Sequence, residues 1–173
     1  MYFQVHQPRR MRRYRIFDIG KEADYFKDDA DDNTNNRKVL EKIVRKCYLP
    51  ANTLLFDLLK SHPEFKVSFS FSGILLEQLA EHFPEVIESF KALVGTGRVE
   101  VLGETYYHSL SFFYSKPEFE RQVNFHGRAV KNLFGATPRV FRNTELAYSN
   151  DLAKWAEEKG YDGILAEGWD EIL

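Results

Sequence analysis

PRVFRNTELAYSNDLAKWAEEKGYDGILAEG, residues 138–168, is the stretch that decides the fold. Its beginning, PRVFRNTE, is typical of a buried strand that ends in polar residues, and its end, DGILAEG, is typical of another strand. Between them, NDLAKWAEEKG (150–160) has the apolar spacing of a helix, for which Asn150 or Asp151 is the predicted N-cap. A strand, a helix and a second strand in about 30 residues predict a βαβ unit with parallel strands.

The same alternation runs through the rest of the chain. Three further strands are predicted at YFQVH (2–6), KVSFSF (66–71) and RVEVLGE (98–104). Helical spacing is predicted for residues 37–48, for a new helix that Pro50 allows to begin, and for 73–83, 85–95 and 116–134. Strands interleaved with helices in this way predict an α/β fold with parallel strands, either a wound sheet or a β/α barrel.

The composition fits one globular unit over residues 1–173. The 173 residues are 43% hydrophobic, which is enough to bury one substantial core. The formal net charge is only −2 and the basic run RRMRRYR (9–15) is short, so the composition argues against a nucleic-acid partner. Aromatic residues make up 15% of the chain, and such rings serve either a core or the stacking of sugars.

The sequence also bears on the compartment. Cys47, the single cysteine in the sequence, lies in the apolar spacing of the first helix, and one cysteine excludes a disulfide framework within one chain. The apolar runs are far shorter than the roughly 20 residues that cross a membrane, and no signal-peptide pattern follows Met1. We therefore expect a cytoplasmic protein without a membrane partner, and the oligomeric state is left open.

Polar and aromatic side chains cluster where the predicted strands end. In a wound sheet and in a β/α barrel alike, the chemistry lies at the carboxyl ends of the strands. These ends supply His6, Gln7, Ser70, Ser72, Glu104, Tyr107, His108, Asn143, Glu145, Glu167 and Trp169. The pattern predicts one polar pocket at a common edge, lined with carboxylates, imidazoles and aromatic rings.

Several other chemistries lack their sequence signature. The turn after the first strand contains no glycine for a phosphate-binding loop, and no G-x-S-x-G elbow marks a hydrolytic serine. Closely spaced zinc ligands do not occur, and the stretch from Asp29 to Asn33 imitates a calcium loop without its turn glycine and final glutamate. His62, His82 and His126 are predicted to be structural or exposed. We therefore expect neither a cofactor nor a metal.

Glu145 is the carboxylate for which the residues alone leave two interpretations open. Hydrolysis of a glycosidic bond typically needs two carboxyl groups that flank the bond, and Glu145 lies where one of them would be expected. Alternatively, it is an N-terminal helix carboxylate stabilised by the helix dipole. Asn150 and Asp151 directly precede the helix and are better placed to cap it.

Three segments together resemble the first three sequence regions of glycoside hydrolase family 57 and are most similar to its α-amylase-like members. They are YFQVHQPRRMRRY (2–14), GRVEVLGETYYHSL (97–110) and VFRNTELAYSND (140–151), and RKCYLPAN (45–52) is also similar to that group. The resemblance implies a retaining enzyme that acts on α-glucans, either a polysaccharide or a maltooligosaccharide. It also implies an incomplete, seven-stranded (β/α)7 barrel, of which this chain would supply about five strands, a partial parallel β/α barrel.

The resemblance further implies roles for the residues at the strand ends. Glu145 would be the nucleophile that attacks the anomeric carbon, and nearby donors such as Arg142, Asn143 or His6 would favour its ionised form. The other implied positions bind the sugar: His6 and Gln7 line the subsite of the reacting sugar, Glu104 and His108 contact or orient it, and Tyr107 and Trp169 offer stacking surfaces.

The sequence departs from the family pattern near its end. The fourth motif, which carries the acid/base aspartate on a later strand, has no counterpart, and neither Glu167 nor Asp170 is assigned that role. We expect the N-terminal portion of a longer catalytic domain, truncated at Leu173 and slightly at Met1. Because general acid catalysis is typically worth about 10²- to 10⁴-fold, residues 1–173 alone are predicted to be inactive, or nearly so, on starch.

Three alternatives remain from the sequence. A 4-α-glucanotransferase of the same family would share the glycosyl-enzyme and differ only in its acceptor. A non-catalytic carbohydrate-binding relative would keep the fold without turnover. A polysaccharide deacetylase would need a pair of aspartates after the first strand, where HQP (6–8) stands.

Overall fold

Parallel strands and helices alternate along the chain, of which the computed structural model describes residues 1–28 and 30–168. The strands are β1 (Tyr2–Val5), β2 (Val67–Phe71), β3 (Val99–Leu102), β4 (Val140–Arg142) and β5 (Gly163–Leu165). The helices are α1 (Asn36–Ile43), α2 (Leu49–Ser61), α3 (Gly73–His82), α4 (Pro84–Val94), α5 (Lys116–Phe134) and α6 (Asn150–Glu158). The predicted α/β alternation is confirmed, and α5 has the limits that the sequence predicted.

The order of the strands distinguishes a barrel from a wound sheet. β1, β2 and β3 pair in parallel in that order, and β4 pairs in parallel with β5. A bridge at Gly103 joins the two sheets, because Gly103 N donates to Val140 O at 2.9 Å and Arg142 N donates to Gly103 O at 2.8 Å. The strands therefore follow one another in chain order, as in a β/α barrel, without the reversal of order that defines a wound sheet.

The strands present an apolar face to the helices and a polar face to the inside of the curved sheet. On β2, the rings of Phe69 and Phe71 pack edge-on against Phe90 of α4, with centroids 5.5 and 4.8 Å apart. Ser70, between the two phenylalanines, instead lies 2.8 Å from the Tyr2 hydroxyl of β1. Because side chains alternate along a strand, the inner face is free to carry polar groups while the outer face forms the core.

A second apolar cluster lies behind β4. Phe141 is completely buried and packs against Phe119 of α5 and Trp155 of α6, with ring centroids 5.7 and 5.2 Å apart. Edge-on aromatic pairs of this kind add about 0.5–1.5 kcal/mol each beyond their buried area. This cluster holds β4 in place, and with it the loop that contains Glu145.

The first two helices are continuous, so the prediction of a new helix at Pro50 is wrong. α1 runs into a π turn (Val44–Tyr48), which runs directly into α2. Proline removes one helical donor, and the wider π turn before it accommodates that loss without ending the helix. The extra residue in this turn also shifts the helical register, so Cys47 is exposed instead of lying on the apolar face.

The N-cap of α6 differs from the prediction as well. Ser149, and neither Asn150 nor Asp151, caps the helix by accepting a hydrogen bond from Leu152 N at 3.2 Å. Asp151 lies in the first turn, where its charge favours the helix dipole. In the described part of the chain, none of the helices is both long and apolar enough to span a bilayer.

Candidate active site

Four of the predicted site residues meet at the carboxyl ends of β1, β3 and β4. The rings of His6 and His108 stack with centroids 4.1 Å apart. His108 Nδ1 lies 3.7 Å from Glu104 Oε2, and His108 Nε2 lies 3.4 Å from Glu145 Oε1. His108 thus joins residues from three strand ends, as parallel strands with a common carboxyl edge permit.

Glu145 lies in a short 3₁₀ turn (Thr144–Leu146) that follows β4. Its backbone is left-handed, with φ 56° and ψ 19°, and the next residue, Leu146, also has a positive φ of 57°. Non-glycine residues adopt this region rarely, and such strain is concentrated at functional sites. The Glu145 side chain is 74% exposed, so its carboxylate is offered to the solvent side of the site.

The loop around Glu145 is held by its own hydrogen bonds. Leu146 N donates to Asn143 O at 3.0 Å, and the Asn143 side-chain amide donates to Ala147 O at 3.0 Å. Glu145 precedes the Ser149 cap and lies outside the first turn of α6, so the interpretation of Glu145 as a capping residue is wrong.

Glu104 occupies the opposite environment, at the carboxyl end of β3. It is 0% exposed, and its backbone N lies 3.4 Å from Nδ1 of the buried His126, which accepts its hydrogen. Within the described ranges, neither carboxylate oxygen has a hydrogen-bond partner. Its nearest charged partner is Arg142, whose Nη1 lies 3.7 Å from Glu104 Oε2. A buried carboxylate needs such a positive charge nearby to remain ionised.

Two histidines of the site are uncharged at neutral pH. Burial, and then the neighbouring His108 ring, lower the pKa of His6 to about 4. His6 Nδ1 lies 2.7 Å from Ser72 Oγ, which fixes the orientation of the ring. Burial also lowers the pKa of His126. His126 was predicted to be structural or exposed, and it is structural: its Nε2 lies 2.7 Å from Phe71 O, across to β2.

Gln7 and Tyr107, two further predicted site residues, have contacts different from those of the four residues around His108. Arg10 Nη2 donates to Gln7 Oε1 at 3.3 Å, and Gln78 Nε2 donates to Gln7 O at 2.9 Å. Tyr107 is 42% exposed, with its ring 5.0 Å from that of Tyr106. Trp169 and Asp29 lie outside the described residues.

Arg142 and Gln4 are the residues of this site whose arrangement the sequence did not predict. Arg142 was expected to act on Glu145, but its contacts are with Glu104 and with Gln4, whose Oε1 accepts from Arg142 Nη2 at 2.7 Å. The signal that would have found Gln4 is strand alternation, which places it on the same face of β1 as His6.

The arrangement supplies one exposed carboxylate, an imidazole between two carboxylates, and a buried ion pair beneath them. Such a site suits a ligand with many hydroxyl groups, because it offers both donors and acceptors. No three histidine, cysteine, aspartate or glutamate side chains in the described ranges are grouped so that they could hold a metal ion.

Comparison with known proteins identifies relatives of the whole chain. Residues 1–173 match the family model described as Glycosyl hydrolase family 57. A Methanocaldococcus jannaschii protein with the provisional name alpha-amylase is 39% identical over 172 residues, which is 99% of this chain and 36% of that protein. An alpha-amylase from Pyrococcus furiosus is 28% identical, and a 4-alpha-glucanotransferase from Thermococcus litoralis is 24% identical, each over 76% of this chain. The chain spans between 19% and 36% of the length of these relatives.

Solved structures share the fold. The 4-alpha-glucanotransferase from Thermococcus litoralis superposes with a TM-score of 0.65 at 21% identity, over 94% of this chain and 21% of that one. An alpha-amylase from Thermotoga maritima gives a TM-score of 0.64 at 15% identity, over 94% of this chain and 38% of that one. A peptidoglycan N-acetylglucosamine deacetylase is more distant, with a TM-score of 0.51 at 23% identity over 65% of this chain and 49% of its own.

Proposed function

The chain belongs to glycosyl hydrolase family 57, and on that premise we propose that it forms the N-terminal portion of a retaining enzyme that acts on α-1,4-glucans. Glu145 is the nucleophile of this enzyme. The observation that carries the proposal is the placement of an exposed carboxylate on a strained turn at a strand end, 3.4 Å from the ring of His108.

The chemistry assigned to Glu145 requires an ionised carboxylate. Its oxygen attacks the anomeric carbon while the bond to the leaving oxygen breaks, and the leaving oxygen takes a proton from a general acid. Water then receives the glycosyl group, and the same acid/base residue removes the proton of that water. The 74% exposed side chain of Glu145 is open to a ligand.

The acid/base partner is proposed to come from residues outside 1–173. Glu104 is the second carboxylate beside His108, but it is 0% exposed and lies beneath His108, where a leaving oxygen would not reach it. Without a general acid, residues 1–173 alone should turn over starch about 10²- to 10⁴-fold more slowly than the complete enzyme. Starch turnover by residues 1–173 at the rate of the complete enzyme would contradict this part of the proposal.

The sugar-binding roles remain those that the family resemblance implies. His6, whose ring stacks on that of His108, and Gln7 line the subsite of the reacting sugar, and Glu104 and His108 contact or orient the sugar. Tyr107, with its exposed ring, and Trp169 provide stacking surfaces for the sugar rings. Hydrolysis is assumed to take place in the cytoplasm, which fractionation of the native host cells checks.

A second candidate function is 4-α-glucanotransfer. Relatives named alpha-amylase and relatives named 4-alpha-glucanotransferase both match this chain. The two reactions share the glycosyl-enzyme and differ in whether water or a sugar hydroxyl accepts the glycosyl group. Product analysis with maltooligosaccharides separates them, because only transfer yields products longer than the substrate.

Trapping of the covalent intermediate tests the proposal directly. A fluorinated maltooligosaccharide with a good leaving group should label the protein, and peptide mass spectrometry should find the sugar on Glu145. In the complete enzyme, Glu145→Gln should abolish both the labelling and glucan turnover, whereas Glu158→Gln, a change of a 63% exposed carboxylate at the end of α6, should leave them unchanged. Labelling of another residue, or full turnover by Glu145→Gln, excludes Glu145 as the nucleophile and favours a non-catalytic carbohydrate-binding relative or a different reaction.

A further inference from the structure

Arg142 is a buried arginine that the proposed reaction does not use. It is the last residue of β4, close before Glu145 in the chain, and is only 3% exposed. A guanidinium is always charged and is rarely buried unless it is paired. The identity of its partners therefore indicates what its charge is used for.

The guanidinium of Arg142 reaches two other strands. Nη2 donates to Gln4 Oε1 of β1 at 2.7 Å, and Nη1 lies 3.7 Å from Oε2 of Glu104 at the end of β3. Within the described ranges, Arg142 Nε and Nη1 have no hydrogen-bond partner. Gln4 and the charge of Glu104 thus both help to hold Arg142 in position.

The contact with Arg142 fixes which way the Gln4 amide points. Because arginine can only donate, the Gln4 atom that faces it is the oxygen, so the amide NH₂ must point to the other side. On that side lies His108, whose Nε2 and Nδ1 are 3.2 and 3.4 Å from Gln4 Nε2. An amide NH₂ can only donate, so it favours a ring of His108 that accepts.

His108 is therefore held from several sides. Glu104 and Gln4 contact the ring, His6 stacks on it at 4.1 Å, and Glu145 lies 3.4 Å from its Nε2. The backbone of His108 has a positive φ of 54°, so the residue depends on its neighbours to stay in this conformation.

We propose that Arg142 is a positioning residue: through Gln4 it holds the ring of His108 facing Glu145, and it balances the buried charge of Glu104. The effect on catalysis rests on the proposed function of Glu145. The effect on the orientation of His108 does not.

The charged and titratable groups around the stacked histidines are consistent with this role. Glu104 faces them from β3, Arg142 from β4, Glu145 from the turn after β4, and His126 lies beneath Glu104 on α5. The pKa of His6 is lowered to about 4, mainly by burial and then by His108; the charge of Arg142 contributes to this lowering, and Glu104 and Glu145 oppose it.

Nuclear magnetic resonance of the histidine rings tests the proposal without any measurement of activity. In Arg142→Met, the pKa of His6 should shift, since the charge of Arg142 that acts on His6 is lost and the buried Glu104 loses its balancing charge. The ring nitrogen signals of His108 should shift in the same variant. The matched control is Arg139→Met, directly before the same strand, where an exposed arginine pairs with Asp162. It should change neither signal, and a folded Arg142→Met with unchanged histidine signals overturns the proposal.

Two conservative variants keep the test decisive if Arg142→Met does not fold. Gln4→Met leaves both charges in place and removes the amide, so the His108 signals should shift while the pKa of His6 stays about 4. Arg142→Lys keeps the charge but loses the planar fork, so it should give the same result. Unchanged His108 signals in both variants contradict the proposal.

The catalytic consequence is measured separately. In the protein that carries this sequence, Arg142→Lys should lower kcat on maltooligosaccharides by on the order of 10²-fold with little change in KM, because the reacting groups are misplaced while binding persists. If the complete enzyme that contains residues 1–173 turns over no α-glucan, the proposed function fails, and the histidine signals still test the proposed role of Arg142.

Discussion

The ends of β3 and β4 each place one glutamate beside His108, yet the two carboxylates are in opposite environments. Glu104 is 0% exposed and lies against Arg142, whereas the side chain of Glu145 is 74% exposed on a left-handed turn. Both are within 3.7 Å of a nitrogen of the same imidazole. One carboxylate is thus part of the internal structure of the site, and the other is open to a ligand. Different environments for neighbouring carboxylates are how active sites give them different tasks.

The largest effect should come from neutralising each carboxylate in turn. In the complete enzyme, Glu145→Gln should lower α-glucan turnover by about 10⁴- to 10⁶-fold, as loss of a nucleophile does, while the free energy of unfolding changes by less than about 0.5 kcal/mol. Glu104→Gln should instead cause a smaller loss of turnover and a measurable change in the free energy of unfolding. Steady-state kinetics and urea unfolding of both variants check this. Equal effects of the two variants in both assays would abolish the distinction between the two carboxylates.

The next largest effect concerns the buried ion pair. Glu104→Ala leaves the guanidinium of Arg142 buried without its balancing charge, and removal of one partner of a buried pair typically costs about 3–5 kcal/mol. Glu145→Ala removes an exposed carboxylate and should cost less than about 0.5 kcal/mol. The midpoint and slope of urea unfolding give both values. A cost below about 1 kcal/mol for Glu104→Ala would show that Arg142 does not depend on Glu104.

The sequence predicted much of the fold but could not distinguish these two environments. The alternation of strands and helices was predictable because apolar periodicity is local, and the common carboxyl edge of parallel strands predicted that His6, Glu104, His108 and Glu145 would meet. The burial of Glu104 depends on neighbours from three other elements, which no local pattern reports.

Other features of the site and the fold could not be predicted from the sequence, for related reasons. The positive φ of Glu145 occurs at a residue that does not favour it, so the sequence contains no glycine that would have predicted this turn. Arg142 was expected to face Glu145 because the two are close in the chain, but a strand end followed by a left-handed turn sends their side chains apart. The π turn before Pro50 likewise has no simple sequence signature.

A smaller effect should follow from Gly73→Ala, which changes only the packing beneath the loop that follows β3. A Cβ at Gly73 would clash with Cδ2 of Tyr106, whose ring stacks on Phe125 and whose hydroxyl donates to Glu77. Gly73→Ala should therefore displace Tyr106 and the loop that follows Glu104, at a cost of roughly 1–3 kcal/mol.

The matched control for this change is Gly127→Ala. Gly127 lies within α5, where a new Cβ would meet nothing within 4 Å. Alanine should there stabilise the helix by about 0.5–1 kcal/mol. Thermal unfolding of the two variants should thus move in opposite directions, and a stabilising Gly73→Ala would contradict the close packing of Tyr106.

The last effect is the dependence of stability on pH, which should arise on the Glu104 side of the site. The pKa of His6 is lowered to about 4 in the folded protein, and burial lowers the pKa of His126 as well. In the unfolded chain both titrate near about 6.5, so between these values the unfolded state binds more protons than the folded state. The free energy of unfolding should therefore decrease as the pH falls from about 6.5 to about 4, by at most about 1.4 kcal/mol per pH unit for each histidine and by less for the half-exposed His6. Urea unfolding at about pH 7 and about pH 5 measures the decrease.

His6→Gln should make this decrease in the free energy of unfolding shallower. Glu145→Gln, which alters only an exposed carboxylate, should leave the decrease close to that of the unmodified protein. A decrease that is the same in His6→Gln would mean that His6 is charged in the folded state.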